Sequence, residues 1–149
     1  MGEHGRCVKD ISKKLFLSRE IYNMIFEPVC SKYDLSLTEM LLLLHLSDDS
    51  IRDTAGDIAG NLNVAKSHIS ASVHNLQNRG YIEGCTENGD KRKIHLKLCE
   101  AALPIVAEGE KIRSEFGKTL WQGFSEEELE QMRSFLRRMT ANAKAWFEK

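Results

Sequence analysis

"AKSHISASVHNLQNRG", residues 65–80, carries no carboxylate, and the acid-free stretch around it runs from Ile58 to Ile82. The chain has 22 Asp and Glu in 149 residues, so 25 consecutive positions should hold three or four of them. Ile69, Val73 and Leu76 recur at i, i+4 and i+7, the spacing of a buried helical stripe. Gly80 closes that helix. Upstream, "DTAGDIAGNLNV" (53–64) predicts a shorter helix, with Thr54 and Asp57 spaced as a capping box and Asn63 as a left-handed stop. Two short helices joined by a tight turn predict a helix-turn-helix.

Beyond Gly80 the period changes to two. "YIEGCTE" and "KIHLKLC" alternate apolar and polar residues around "NGDKRK", which reads as a strand pair with a basic turn. A helix facing duplex DNA must present donors, small groups and cations to base edges and phosphates. Carboxylates there meet a field of roughly one negative charge per ~1.7 Å of duplex. The face left after burying the stripe carries Lys66, Ser67, His68, Ser70, Ala71, His74 and Asn75. Lys66, at the helix start, and Arg79, near its end, are placed for phosphates. Lys91, Arg92 and Lys93 form the tip of the hairpin. Charge segregates accordingly: residues 58–97 hold six Lys/Arg against three acids, although the whole chain is at −1.

The flanks read as helices. Ile11, Leu15, Tyr22, Ile25, Phe26 and Val29 recur at helical spacing between Lys9 and Lys32, with Pro28 kinking or ending the first part. Ser36 or Thr38 caps "EMLLLLHLS", a segment apolar nearly all round and therefore buried. Pro104 stands near the start of a helix through Ile105, Ile112, Phe116 and Leu120. Ser125 with Glu128 opens the last one, whose stripe is Leu129, Met132, Phe135 or Leu136, Met139, Ala143 and Trp146.

This order of elements resembles the MarR family (multiple antibiotic resistance regulators) of winged-helix transcription factors. The matching stretch is "TAGDIAGNLNVAKSHISASVHNLQNRGYIEGCTENGDKRKIHLKL", residues 54–98. Leu76, Arg79, Gly80 and Tyr81 resemble the ending of the family's recognition helix, and Asp90 and Arg92 its Asp-x-Arg wing signature. The resemblance implies a mainly α, winged helix-turn-helix fold of about six helices with a small antiparallel β-hairpin wing. It implies a single domain over 1–149, with the DNA-binding lobe at 36–99 and helical dimerisation regions at 9–33 and 102–147. It further implies a cytoplasmic homodimer on a pseudo-palindromic double-stranded operator, acting as a repressor relieved by a small ligand or by oxidation. The DNA contacts are then Lys66, Ser67, His68, Ser70, Ala71, His74, Asn75, Arg79, Asp90, Lys91, Arg92 and Lys93. Two positions depart from the family pattern: Cys99 stands where Thr usually caps the helix after the wing, and Ala71 where Arg is frequent.

By the same resemblance an effector pocket lies between the dimerisation helices and the reading lobe, which points to Tyr22, Phe26, Cys30, Met40 and His45. A small aromatic effector comes first, ahead of redox sensing at Cys7 or Cys30. The family's zinc-sensing branch has histidines after the wing, whereas "PIVAEGEKIRSEF" has none, so no metal or other cofactor is expected. The four cysteines form no CxxC pair. No GxSxG, Walker A, HExxH or GxGxxG motif is present, which argues against an enzyme. No apolar run is long enough to span a bilayer and no signal peptide is visible, so no membrane partner is expected. The competing class is a winged-helix protein-interaction module without DNA binding.

The wing generates a specific expectation. Asp90 and Arg92, two apart in a strand-like hairpin, share a face, so the carboxylate can orient the guanidinium before DNA arrives. An Arg held this way suits a narrow minor groove. Arg92→Ala should leave the melting temperature nearly unchanged and cost at least about tenfold in operator affinity, or ~1.4 kcal/mol. Asp90→Ala should also weaken binding, although it removes a negative charge beside phosphate. Tighter binding by Asp90→Ala in the same titration would refute the orienting role.

Overall fold

Helix α1, in a computed structural model that describes residues 19–48, 53–62, 64–86, 89 and 93–147, covers 19–33 and runs through Pro28 without a break. The sequence expectations for Cys7, Ile11, Leu15, Asn63, Asp90, Lys91 and Arg92 lie outside the described residues. Phe26 and Val29 form the buried edge of α1, with Ile25 and Cys30 beside them. The helix ends where Asp34 takes a left-handed φ of 51°, with Leu35 N–H donating to Cys30 O at 2.8 Å. This is the Schellman closure, here built on a residue other than glycine.

Ser36 caps α2 (Leu37–Leu46) in a full capping box: Glu39 N–H donates to Ser36 Oγ, and Ser36 N–H to Glu39 Oε2. Met40, Leu42, Leu43 and Leu44 have at most 1% of their surface exposed, so α2 is the central element of the core. Helix α3 (Ala55–Leu62) starts at Thr54, whose Oγ1 accepts from Asp57 N–H and donates to Asp57 Oδ2. Asp is one methylene shorter than Glu, and its carboxylate bonds the cap hydroxyl. Helix α4 (Lys66–Asn78) follows and closes on a second Schellman motif, with Gly80 at φ 73°, Gly80 N–H to Gln77 O and Tyr81 N–H to Leu76 O.

Strands β1 (Ile82–Thr86) and β2 (Ile94–Leu98) pair antiparallel, in a register that sets Glu83 opposite Lys97 and Gly84 opposite Leu96. Ile82 and Leu96 are the buried members of this hairpin. The other edge of β2 pairs with the segment before α3, through a bridge between Thr54 and His95 and Leu96 N–H to Asp53 O. The hairpin is therefore tied to the helix-turn-helix at its base. A 3-10 turn, Glu100–Ala102, leads into α5 (Leu103–Leu120), with Pro104 at its second position. Cys99 stands at the N-cap of that turn and makes no side-chain cap bond, in keeping with a thiol being a weak acceptor. Where α5 crosses α2, a Cβ on Gly109 would stand 2.2 Å from Met40 Cε and 3.1 Å from Leu44 Cδ2. A side chain at this position would require the buried Met40 methyl to move.

The chain divides into two units, Met1–Ser114 and Glu115–Lys149. Among the described residues the first holds the buried core, from Phe26 to Val106. In the second, the end of α5 turns through Gly123, Trp121 and Phe124 meet edge-to-face at 6.1 Å, and α6 (Glu126–Phe147) follows. Helix α6 opens on the anticipated capping box, with Ser125 N–H to Glu128 Oε2 at 2.8 Å and Glu128 N–H to Ser125 Oγ at 3.2 Å. Its stripe is uncovered: Phe135, Leu136, Met139 and Trp146 are 55, 51, 43 and 73% exposed. No helix among the described residues is long and apolar enough to cross a membrane.

Candidate nucleic-acid interface

Helix α4 buries Ile69, Ser72 and Leu76 and half-buries Val73. The expected stripe is thus shifted by one position toward Ser72, which faces the core beside Ile69 and Leu76. Burying Ile69 and Leu76 completely is worth about 1.5–3 kcal/mol each, which fixes the rotation of the helix about its axis. The opposite face then presents Lys66, Ser67, His68, Ser70, Ala71 and His74 to solvent together. Ser70 Oγ–H donates back to Lys66 O at 3.0 Å, which leaves its oxygen as an acceptor. His74 Nε2 lies 3.1 Å from Asn78 Nδ2, one turn on.

Two of the expected DNA contacts also make bonds within the fold. The Asn75 amide, on an exposed residue, donates to Glu39 Oε1 on α2 and so links α4 to the core. Arg79 sends Nη1 to Asp34 O at 2.7 Å and Nη2 to Tyr33 O, and stacks on the Tyr81 ring with 4.9 Å to the centroid. Its guanidinium caps the carbonyl end of α1, where a cation is favoured by the helix dipole. Inside the fold, Arg79 thus holds the end of α1 through Nη1 and Nη2.

Lys66 and Lys93 come together across a surface depression of about 770 Å³, between the start of α4, the N-terminal turn of α3 and the start of β2. Asp53, Thr54 and His95 form its floor, and His95 Nδ1 contacts Asp53 Oδ1. Strand alternation gave no sign of the His95–Asp53 pair, which joins residues 42 positions apart. The depression sets one expected cation from the recognition helix beside one from the wing.

The expected effector residues separate. Phe26 and Met40 are fully buried in the core. Cys30 faces a different groove, with Asn23, Glu27 and Asp34. Burial, and then the Glu27 and Glu39 carboxylates, push the Cys30 thiol above its ordinary range. Tyr22 and His45 do share a cavity of about 300 Å³, with Leu41, Leu44, Asp48, Asn61, Leu62 and Arg113. Arg113, which pattern reading missed, brings a guanidinium there, paired to Glu110 at 2.7 Å. Among the described residues no group of three or more His, Cys, Asp or Glu is arranged to hold a metal ion.

Comparison by sequence finds no matching family model and no matching curated relative. Solved structures do match. The chain is similar to the transcriptional regulator PA3341, with a TM-score of 0.78 and 21% identity over 91% of this chain and 98% of that one. It is similar to S. aureus MepR in a DNA complex, with a TM-score of 0.71 and 23% identity over 86% of this chain and 91% of that one. A MarR/EmrR family transcriptional regulator from Acinetobacter sp. ADP1 matches at a TM-score of 0.77 and 21% identity, over 97% and 99% of the two chains. PA3341 and the Acinetobacter protein are described as transcriptional regulators, and MepR was solved with DNA.

Hydrogen bonds to a charged group contribute about 1.5–3 kcal/mol each, so Arg79→Gln should destabilise folding by roughly that amount in urea unfolding. The same variant should keep the wild-type slope of DNA affinity against salt. An unchanged unfolding midpoint with a slope reduced by about 1 would instead make Arg79 a phosphate contact.

Proposed function

We propose that this chain, which has the winged helix-turn-helix fold of MarR-family regulators, is a sequence-specific double-stranded DNA-binding regulator of transcription. The observation that carries this reading is the exposed face of α4. Six neighbouring polar, small or cationic residues stand there without a carboxylate, in a chain where acids outnumber Lys and Arg. Lys66 begins the helix, the end that enters the major groove in helix-turn-helix docking. Lys93 extends the cationic surface to the wing, whose tip carries Lys91 and Arg92 in the sequence. The MepR complex supports the reading, since a protein of this fold was solved on DNA.

The labour on α4 divides by position. Lys66→Ala should weaken binding to every duplex alike and lower the salt slope by about 1 per protomer. His68→Ala should cost about 1–3 kcal/mol at one or two base positions only. Anisotropy titrations over several salt concentrations, with a duplex selected from a random pool and with unselected duplex, separate the two effects. Equal loss on both duplexes for His68→Ala would remove it from base reading.

The assembly we propose is a cytoplasmic homodimer on a pseudo-palindromic operator, with helical regions at 9–33 and 102–147 forming the dimer around a lobe at 36–99. Its support is the uncovered stripe of α6, an apolar surface that a soluble chain rarely leaves in water. Repression relieved by a small aromatic acid is the regulatory reading, with Arg113 and His45 to receive the carboxylate and Tyr22, stacked on Phe26 at 5.9 Å, to receive the ring. Sedimentation at micromolar concentration should give two chains per particle. Aromatic carboxylates at about 100 times Kd should add ~2.7 kcal/mol of stability in thermal-shift assays, an effect lost in Arg113→Ala. A monomer, or a uniform lack of stabilisation across that ligand class, would refute the respective half of this proposal.

A further inference from the structure

Tyr33, the last residue of α1, is held at both its backbone and its side chain. Its carbonyl accepts from Arg79 Nη2, at the end of α4, while Arg79 Nη1 reaches Asp34 O at 2.7 Å. Its hydroxyl donates to Glu108 Oε1 at 2.7 Å, on α5. The same oxygen accepts from Lys32 Nζ at 2.6 Å, and that ammonium lies 5.0 Å from the Tyr33 ring centroid. One residue therefore joins α5 to the final turn of the proposed recognition helix. The path runs from Glu108 through the Tyr33 side chain and carbonyl to Arg79.

The joint has reason to need holding. Asp34, next to Tyr33, adopts a φ of 51°, which side-chain-bearing residues rarely take. The carbonyls that receive Arg79 keep their direction only while this terminus keeps its shape. The Tyr33 ring packs half-buried against the core, so its hydroxyl is the one polar group tying that ring to α5. At the other end of the path, Arg79 is the residue at which α4 stops.

We propose that the bond between the Tyr33 hydroxyl and the Glu108 carboxylate is a positioning contact for DNA reading: it holds the last turn of α4 through Arg79, although neither side chain belongs to the reading face. The proposal rests on the DNA-binding reading given above. Tyr33 and Glu108 act as positioning residues, so their loss should reduce selective binding and leave the electrostatic, sequence-independent part intact.

The test uses the full chain and the variant Tyr33→Phe, which keeps the ring and the carbonyl and removes only the hydroxyl. Hydrogen–deuterium exchange without DNA should show faster exchange in the last turn of α4, residues 76–81, with α2 unchanged. Affinity for the duplex selected by the wild-type protein from a random pool should fall about three- to tenfold, the net worth of one hydrogen bond. Affinity for random duplex and the salt slope should not change. Glu108→Ala should reproduce both effects and add nothing to Tyr33→Phe, whereas Glu108→Gln, which keeps an acceptor oxygen, should remain within twofold of wild type. Three results would each overturn the proposal: wild-type exchange at 76–81 in Tyr33→Phe, equal loss on selected and random duplex, or Glu108→Gln as damaging as Glu108→Ala. The last would assign the effect to the Lys32 ion pair. Failure of the DNA-binding reading itself is seen separately, as a wild-type protein that selects no duplex, and it overturns this inference as well.

Discussion

A buried carboxylate ties α2 to α4. Glu39 has 6% of its surface exposed, and its two oxygens accept from different elements: Oε2 from the Ser36 N–H that opens α2, and Oε1 from the Asn75 amide on α4. Taking a carboxylate out of water costs several kcal/mol unless donors replace the lost hydration. Glu39 therefore favours the arrangement in which α2 begins where it does and α4 presents Asn75 to it. After burial and Glu27, the same carboxylate also pushes the Cys30 thiol up. The start of the core helix α2 and the placement of α4 against it thus meet at one side chain.

Apolar packing alone would leave α4 underdetermined. Ile69 and Leu76 set which side faces inward, but two residues on one stripe allow the helix to slide along its axis. The polar contacts restrict that freedom at separate points. Asn75 is tied to α2, Arg79 to the end of α1, and Tyr81 N–H to Leu76 O in the Schellman turn. Cys99 N–H to Tyr81 O at 2.9 Å then links the start of the wing to its exit. The face that remains exposed has little left to do inside the molecule.

Local periodicity made most of this fold legible in the sequence. The change from a period of 3.6 to a period of two at Gly80, the caps at Ser36 and Ser125, and the turn between α3 and α4 all depend on neighbours within a few residues. The bonds that Asn75 and Arg79 make within the fold were hidden for the opposite reason. Their partners lie 36 and 45 positions away, and an exposed polar residue on a helix looks the same whether or not a distant acceptor meets it. Phe26 and Met40 show a similar limit, since helical spacing marks an inward side chain without saying whether it meets a cavity or another side chain. Glu39 was within reach: it stands three residues after Ser36, at the spacing of a capping box.

The division at Ser114 also orders events in time. Among the described residues the sixteen buried apolar residues of the core lie between Phe26 and Val106, and α6 does not begin until Glu126. Chains are made from the N-terminus and their units fold in that order. Every residue that the lobe needs for its interior has thus been synthesised before the helix with the uncovered apolar stripe exists. A nascent chain can complete its interior while that adhesive surface is still unmade, which shortens the interval in which an unfolded core and an exposed stripe coexist on one polypeptide.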